Sequence, residues 1–225
     1  MCYPALLPKS LRATTLRAAG SAVPRAWSKE EVGMAITDYV SRPFSVVEIV
    51  TQTYVVAARC GGLTEYTRLV DLLNNPEVSH LQLFEARVRG LAGSGEMTAT
   101  EGHMFLDKMR IVFASTVESP EEVARRQKAH EIDRVEKDRH NVLVFAAPFR
   151  ITGTVYVVKG ADPRVALPRL FNNFLAVTEA RVAHEHDDSL VWEKKFLVVN
   201  GRHIEMIYSS TTQAARGMLN GGNAA

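Results

Sequence analysis

The chain has 225 residues, of which 46% are hydrophobic and 23% charged, with a formal net charge of +2. This is ordinary globular composition with enough apolar material for real cores, so wholesale disorder is excluded. No apolar run approaches the ~20 residues of a membrane-spanning helix, and no chain-wide basic field exists to hold nucleic acid.

The charge is uneven. Residues 1–28 carry Lys9, Arg12, Arg17 and Arg25 and no acidic residue. Pro4, Pro8 and Pro24 cut this stretch into short pieces. Residues 1–27 therefore read as a flexible basic tail, with a docking arm for a partner, an acidic surface or a membrane as the alternative. Cys2 and Cys60 lie far apart and form no CxxC pair, which suits a reduced, cytoplasmic chain.

Residues 28–116 form the first unit. Ser28 is placed to cap a helix whose first turn holds glutamates, and Val32, Ile36, Tyr39 and Val40 give it an apolar stripe. Two strands follow, 46–50 and 54–59, then a helical turn over 64–73 and a third strand through Glu85-Ala-Arg-Val88. A hairpin of 104–106 with 110–114, turning at Asp107, is expected to close the unit. Residues 117–140 read as a charged connecting helix capped by Ser119, with Pro120 at its first position. The second unit, 141–210, runs through strands 142–145 and 149–158, a helical turn near 164–171, a third strand through Glu179-Ala-Arg-Val182 and a hairpin of 196–199 with 203–208. Gly153 marks a sharp bend or a bulge within its second strand. Asn200-Gly201 is a strong hairpin-turn signal. Residues 211–225 read as a flexible tail.

The order of elements repeats, and so do residues. Val47–Ala58 lies over Val142–Gly153 without a gap, an offset of 95 that preserves the alternating apolar face. Leu72-Leu-Asn-Asn75 lies over Leu170-Phe-Asn-Asn173 at 98, and Glu85-Ala-Arg-Val88 over Glu179-Ala-Arg-Val182 at 94. Met104-Phe-Leu-Asp107 lies over Leu197-Val-Val-Asn200 at 93, and Ile111 over Ile204 at the same offset. Ser28-Lys-Glu-Glu-Val32 matches Ser119-Pro-Glu-Glu-Val123 at 91. Collinear matches whose offsets drift by only a few residues identify a tandem duplication. Five short bent strands close most easily into a small barrel. The expected fold is therefore mainly β, two tandem Sm-like or SH3-like small β-barrels, each preceded by a helix.

The last element of the second unit, Leu197-Val-Val-Asn-Gly-Arg-His-Ile204, resembles the second Sm motif, with Asn200 where that motif carries arginine. No RNA-contacting residue is carried over. The second unit is also similar to a group of uncharacterised bacterial proteins with a domain of unknown function. The resemblance rests on Phe149-Arg-Ile-Thr-Gly153, Leu170-Phe-Asn172, Phe174–Val182 and Phe196–Ile204, and the first unit fits more loosely. The Sm likeness implies a small barrel and admits RNA as a partner; the second likeness implies no activity.

Few residues suggest chemistry. His184, His186 and Asp187 are metal-ligand types in one loop, but a site needs three or four converging donors. Gly90–Gly95 is glycine-rich yet lacks the Lys-Ser/Thr of a phosphate-binding loop. Glu85 with Arg87, and Glu179 with Arg181, recur at one repeat position and are candidates for a ligand- or interface-facing pair; Asn200 and Arg202 join them as candidates from the final element. No nucleophile triad, paired catalytic carboxylates or reactive cysteine context stands out, and no cofactor is implied. The sequence thus suggests a non-enzymatic interaction or assembly module that self-associates or binds a protein partner. The alternatives are an Sm-like RNA-binding regulator and a pseudo-dimer sensing a small molecule or metal.

Overall fold

A computed structural model of the protein describes residues 46–63, 67–93, 95–117 and 135–210. The expected helix from Ser28, the Ser119 cap and both tails lie outside the described residues.

The first half contains β1 (Val46–Thr51), β2 (Tyr54–Cys60), α1 (Leu69–Asn74), β3 (His80–Gly90), β4 (Glu96–Asp107) and β5 (Ile111–Val117). The second contains β6 (Lys137–Ala146), β7 (Phe149–Val158), α2 (Pro163–Arg169), β8 (Phe174–His184), β9 (Asp187–Asn200) and β10 (Met206–Ser210). Local chemistry accounts for the connections. Thr51 Oγ1 accepts from the Tyr54 amide at 2.9 Å and so tightens the β1–β2 turn. Asp162 caps α2 by accepting from the Arg164 amide, with Pro163 in the first turn. The short α1 buries Leu69, Leu72 and Leu73 on one side.

The repeat is visible in the ladders. Val50 opposes Phe113 on β1 and β5, as Phe145 opposes Met206 on β6 and β10. Val88 opposes Met97 on β3 and β4, as Val182 opposes Trp192 on β8 and β9. The β2–β3 ladder slips between Ala57 and Arg59, the β7–β8 ladder between Thr152 and Thr154. At the second slip Gly153 allows the close approach, because a Cβ there would lie 2.5 Å from Val177 Cγ1 and 2.8 Å from the Thr178 carbonyl oxygen.

The barrels expected from the sequence do not form. The ten strands of the described residues make one open antiparallel sheet in the order β10-β6-β7-β8-β9-β5-β1-β2-β3-β4. Closure of each unit would require β4 to pair with β5 and β9 with β10. Instead β5 pairs with β1 and β9, β4 with β3, and β10 with β6. The turn residues explain the difference. Asp107 and Asn200 each cap a single 3-10 turn, accepting from the amides of Met109 and Arg202. These turns carry the chain across to the first strand of its unit, where a two-residue hairpin would have folded it back. Gly201 is required there, since a Cβ would lie 2.5–2.6 Å from the carbonyl oxygens of Leu170, Phe171 and Asn173. The expected connecting helix over 117–140 is also corrected at its ends: Val117 belongs to β5 and Lys137–His140 to β6. Lys137–Arg139 are polar and exposed, so nothing in their pattern marks them as strand.

The apolar interior forms two clusters, and each takes residues from both halves. Phe113 of β5 packs with Phe149, Trp192 and Val182 of the second half. Phe174 and Val198 of the second half pack with Val47, Leu83 and Leu69 of the first.

Candidate assembly interface

The two halves meet where β5 and β9 pair, with Phe113 opposite Val199 and Ala114 opposite Val198. Alternation sends Phe113 into the second core and Val198 into the first. Phe113 contacts Phe149 and Trp192 edge to face, with ring centroids 5.2 and 5.4 Å apart. Such geometry adds roughly 0.5–1.5 kcal/mol per pair beyond burial itself.

Polar groups hold the junction in register. Asn74, at the end of α1, accepts from the Phe174 amide at 2.7 Å and donates to its carbonyl at 3.0 Å. The buried Asn200 donates through Nδ2 to the Ile111 carbonyl at 3.0 Å. His203 Nε2 lies 3.0 Å from the Met109 carbonyl and donates to it. Lys194 Nζ on β9 lies 3.0 Å from Oε1 of the buried Glu48 on β1. All four contacts join the first half to the second.

The sheet ends at β4 and β10, whose outer sides pair with no strand among the described residues. Both edge strands expose large apolar side chains. Met97 and Phe105 on β4 and Met206 and Tyr208 on β10 are exposed. Phe105 and Phe84 flank His103 edge to face, with centroids 5.8 and 5.9 Å from it. An extended edge carrying unpaired N–H and C=O groups is a template for pairing with another strand.

The residues singled out in the sequence divide between this surface and others. Asn200 belongs to the junction, and Arg202 lies exposed beside it on the 3-10 turn. Glu85 and Glu179 hold positive φ angles of 51° and 50°. That interrupts the pleat, so the expected same-face pairing within Glu-Ala-Arg gives way to other partners. Glu85 Oε1 lies 2.9 Å from Arg59 Nη1, and Glu179 Oε2 lies 3.2 Å from Arg139 Nη2. Arg87 stands opposite Ala57 and Thr98, and Arg181 opposite Thr152 and Glu193. His184, His186 and Asp187 form the β8–β9 turn. There His184 Nδ1 accepts from the His186 amide at 3.2 Å, and the Asp187 carboxylate accepts from the Ser189 hydroxyl and amide. Those two bonds hold Asp187 below the usual carboxylate range. No group of three or more His, Cys, Asp or Glu side chains placed to hold a metal ion occurs among the described residues. Burial pushes the Cys60 thiol up to about 12, so it stays protonated and unreactive near neutrality.

The junction residues Glu48, Asn74, Phe113 and Lys194 were not singled out from the sequence. Two carried a signal: Glu48 interrupts the apolar run Val46–Val50, and Asn74 recurs in the repeated Asn-Asn pair. No family model, curated protein or solved structure matches the chain.

Proposed function

We propose that the protein is a non-enzymatic assembly module whose working surfaces are the two open edges of its sheet. The observation that carries this reading is the exposure of large apolar and aromatic side chains on both edges, Met97 and Phe105 on β4 and Met206 and Tyr208 on β10, each strand having one free side among the described residues. Proteins that keep such edges solitary blunt them with charge, proline or cover. A register shift does interrupt β4: Phe84 opposes His103 while Ala86 opposes Ala99. The stretch from His103 to Asp107 beyond it keeps a regular ladder.

The test is the solution mass of the untagged full chain by light scattering, with the absorbance ratio at 260 and 280 nm recorded alongside. A defined assembly above 24.9 kDa and free of nucleic acid is the expected result. A strict monomer that captures no partner overturns the reading. A nucleic-acid signal that salt removes replaces it with RNA binding.

A further inference from the structure

The junction inside the chain is a template for a junction between chains. Strand β5 is the last strand of the first unit, and it pairs with β9, the fourth strand of the second. The two strands left open are their counterparts: β10 is the last strand of the second unit and β4 the fourth of the first. The ladders set the correspondence residue by residue. Phe113 corresponds to Met206, because they oppose the equivalent residues Val50 and Phe145. Trp192 corresponds to Met97, because they oppose Val182 and Val88. Phe149 corresponds to Tyr54 through the gap-free alignment of the second strands.

The exposures decide the matter. At the internal junction Phe113, Phe149 and Trp192 are 1%, 0% and 3% exposed. Their counterparts Met206, Tyr54 and Met97 are 57%, 50% and 53% exposed. Val198, which crosses into the first core, is 0% exposed, and its counterpart Phe105 is 64% exposed. Large apolar residues thus occupy the positions that the internal junction buries, and at the open ends nothing among the described residues covers them. The polar clamp has counterparts too. Asn74 corresponds to Asn172, and Phe174, whose backbone it holds, to His80; both counterparts are exposed.

We propose that a second copy of this chain fills these edges head to tail. β10 of one copy lies against β4 of the next, with Met206 opposite Leu106 and Ile207 opposite Phe105. The register is that of Phe113 with Val199 and Ala114 with Val198, moved by one repeat. Met206 enters the neighbour's first core beside Tyr54 and Met97, and Phe105 of that neighbour enters the second core of the first copy. The contact joins two different surfaces, so it repeats into a ring if the rotation closes and into a filament if it does not. This inference rests on the assembly reading, and names its partner.

Two variants test it, each blocking one end at an exposed position. Met206→Asp blocks the β10 end, and Phe105→Asp the β4 end, with Met97→Asp as a second β4 block should Phe105→Asp misfold. Each is expected to lose self-association and run at 24.9 kDa. Mixed, each still has one live end, and they are expected to form a one-to-one dimer of twice that mass. Self-association surviving both blocks overturns the head-to-tail contact while leaving an assembly through another surface. Dimers from one variant alone overturn it in favour of a like-with-like edge. Two monomers that stay monomeric when mixed overturn it outright, and a monomeric unmodified chain removes the assembly reading with it.

Discussion

Glu85 and Glu179 hold left-handed φ angles of 51° and 50° at the same point in the two repeats, a conformation that favours glycine and costs a side-chain-bearing residue roughly 1–2 kcal/mol. Each compensates with an ion pair, to Arg59 and Arg139 respectively. The second pair is more than half exposed on both sides, so it contributes at most ~1 kcal/mol. Backbone strain therefore outweighs it. Glu179→Gly is expected to raise stability by about 0.5–1 kcal/mol in urea denaturation. Glu179→Ala is expected to lower it slightly, because it loses the pair and keeps the strain. Alanine equal to or better than glycine would show that the φ angle is not what limits this site.

The β5–β9 pairing is the element that makes one sheet of two repeats, and its polar core is the Glu48–Lys194 contact at 3.0 Å. Removing one member of a buried pair leaves the other charge in an apolar setting, which costs roughly 3–5 kcal/mol. Lys194→Met is expected to destabilise by about that amount in chemical denaturation. Adding Glu48→Leu is expected to recover most of it, since the counterpart of Glu48 in the second repeat is Leu143, which sits on β6 in the equivalent place. A double variant no better than the single would show that the lysine stem, rather than the charge, matters. Much at this scale was legible beforehand. Most strand positions followed from alternation, although β4 and β9 begin well before the expected 104 and 196; the irregularity at Gly153 followed from a glycine in mid-strand, and the repeat from collinear matches such as Glu-Ala-Arg-Val. The junction was not, because sequence periodicity reports which face of a strand is buried and is silent on which strand lies at its edge. Asp107 and Asn200-Gly201 look like hairpin turns in sequence. In the fold their side chains cap 3-10 turns and send β5 and β10 to other neighbours. The candidate site suffered the same limit: Asn200 stood out through its Asn-Gly turn, whereas Phe113 and Lys194 matter only through partners on strands of the other half, Phe149 and Trp192 for the first and Glu48 for the second.

For the whole molecule, a sheet built from two repeats that pair fourth strand to last strand must expose one of each at its ends. The internal junction buries Phe113 against Phe149 and Trp192, and the ends hold Met206, Tyr54 and Met97 in readiness for the same arrangement. The two junctions are alike in register and apolar content but not in charge, since the Glu48 position is apolar in the second repeat. A contact between chains on this plan is thus expected to depend little on salt. The most direct measurement is disulfide trapping of the register. One chain carries Leu106→Cys and a second Met206→Cys, both with Cys2→Ser, leaving only the buried Cys60 besides. Directly opposed residues on antiparallel strands have Cα atoms about 4.5–5.5 Å apart, within disulfide reach. The account predicts that mild oxidation of the mixture links one chain of each kind and that neither chain links to its own kind. Efficient linkage of either chain to itself, or no linkage in a mixture that is demonstrably assembled, would contradict it.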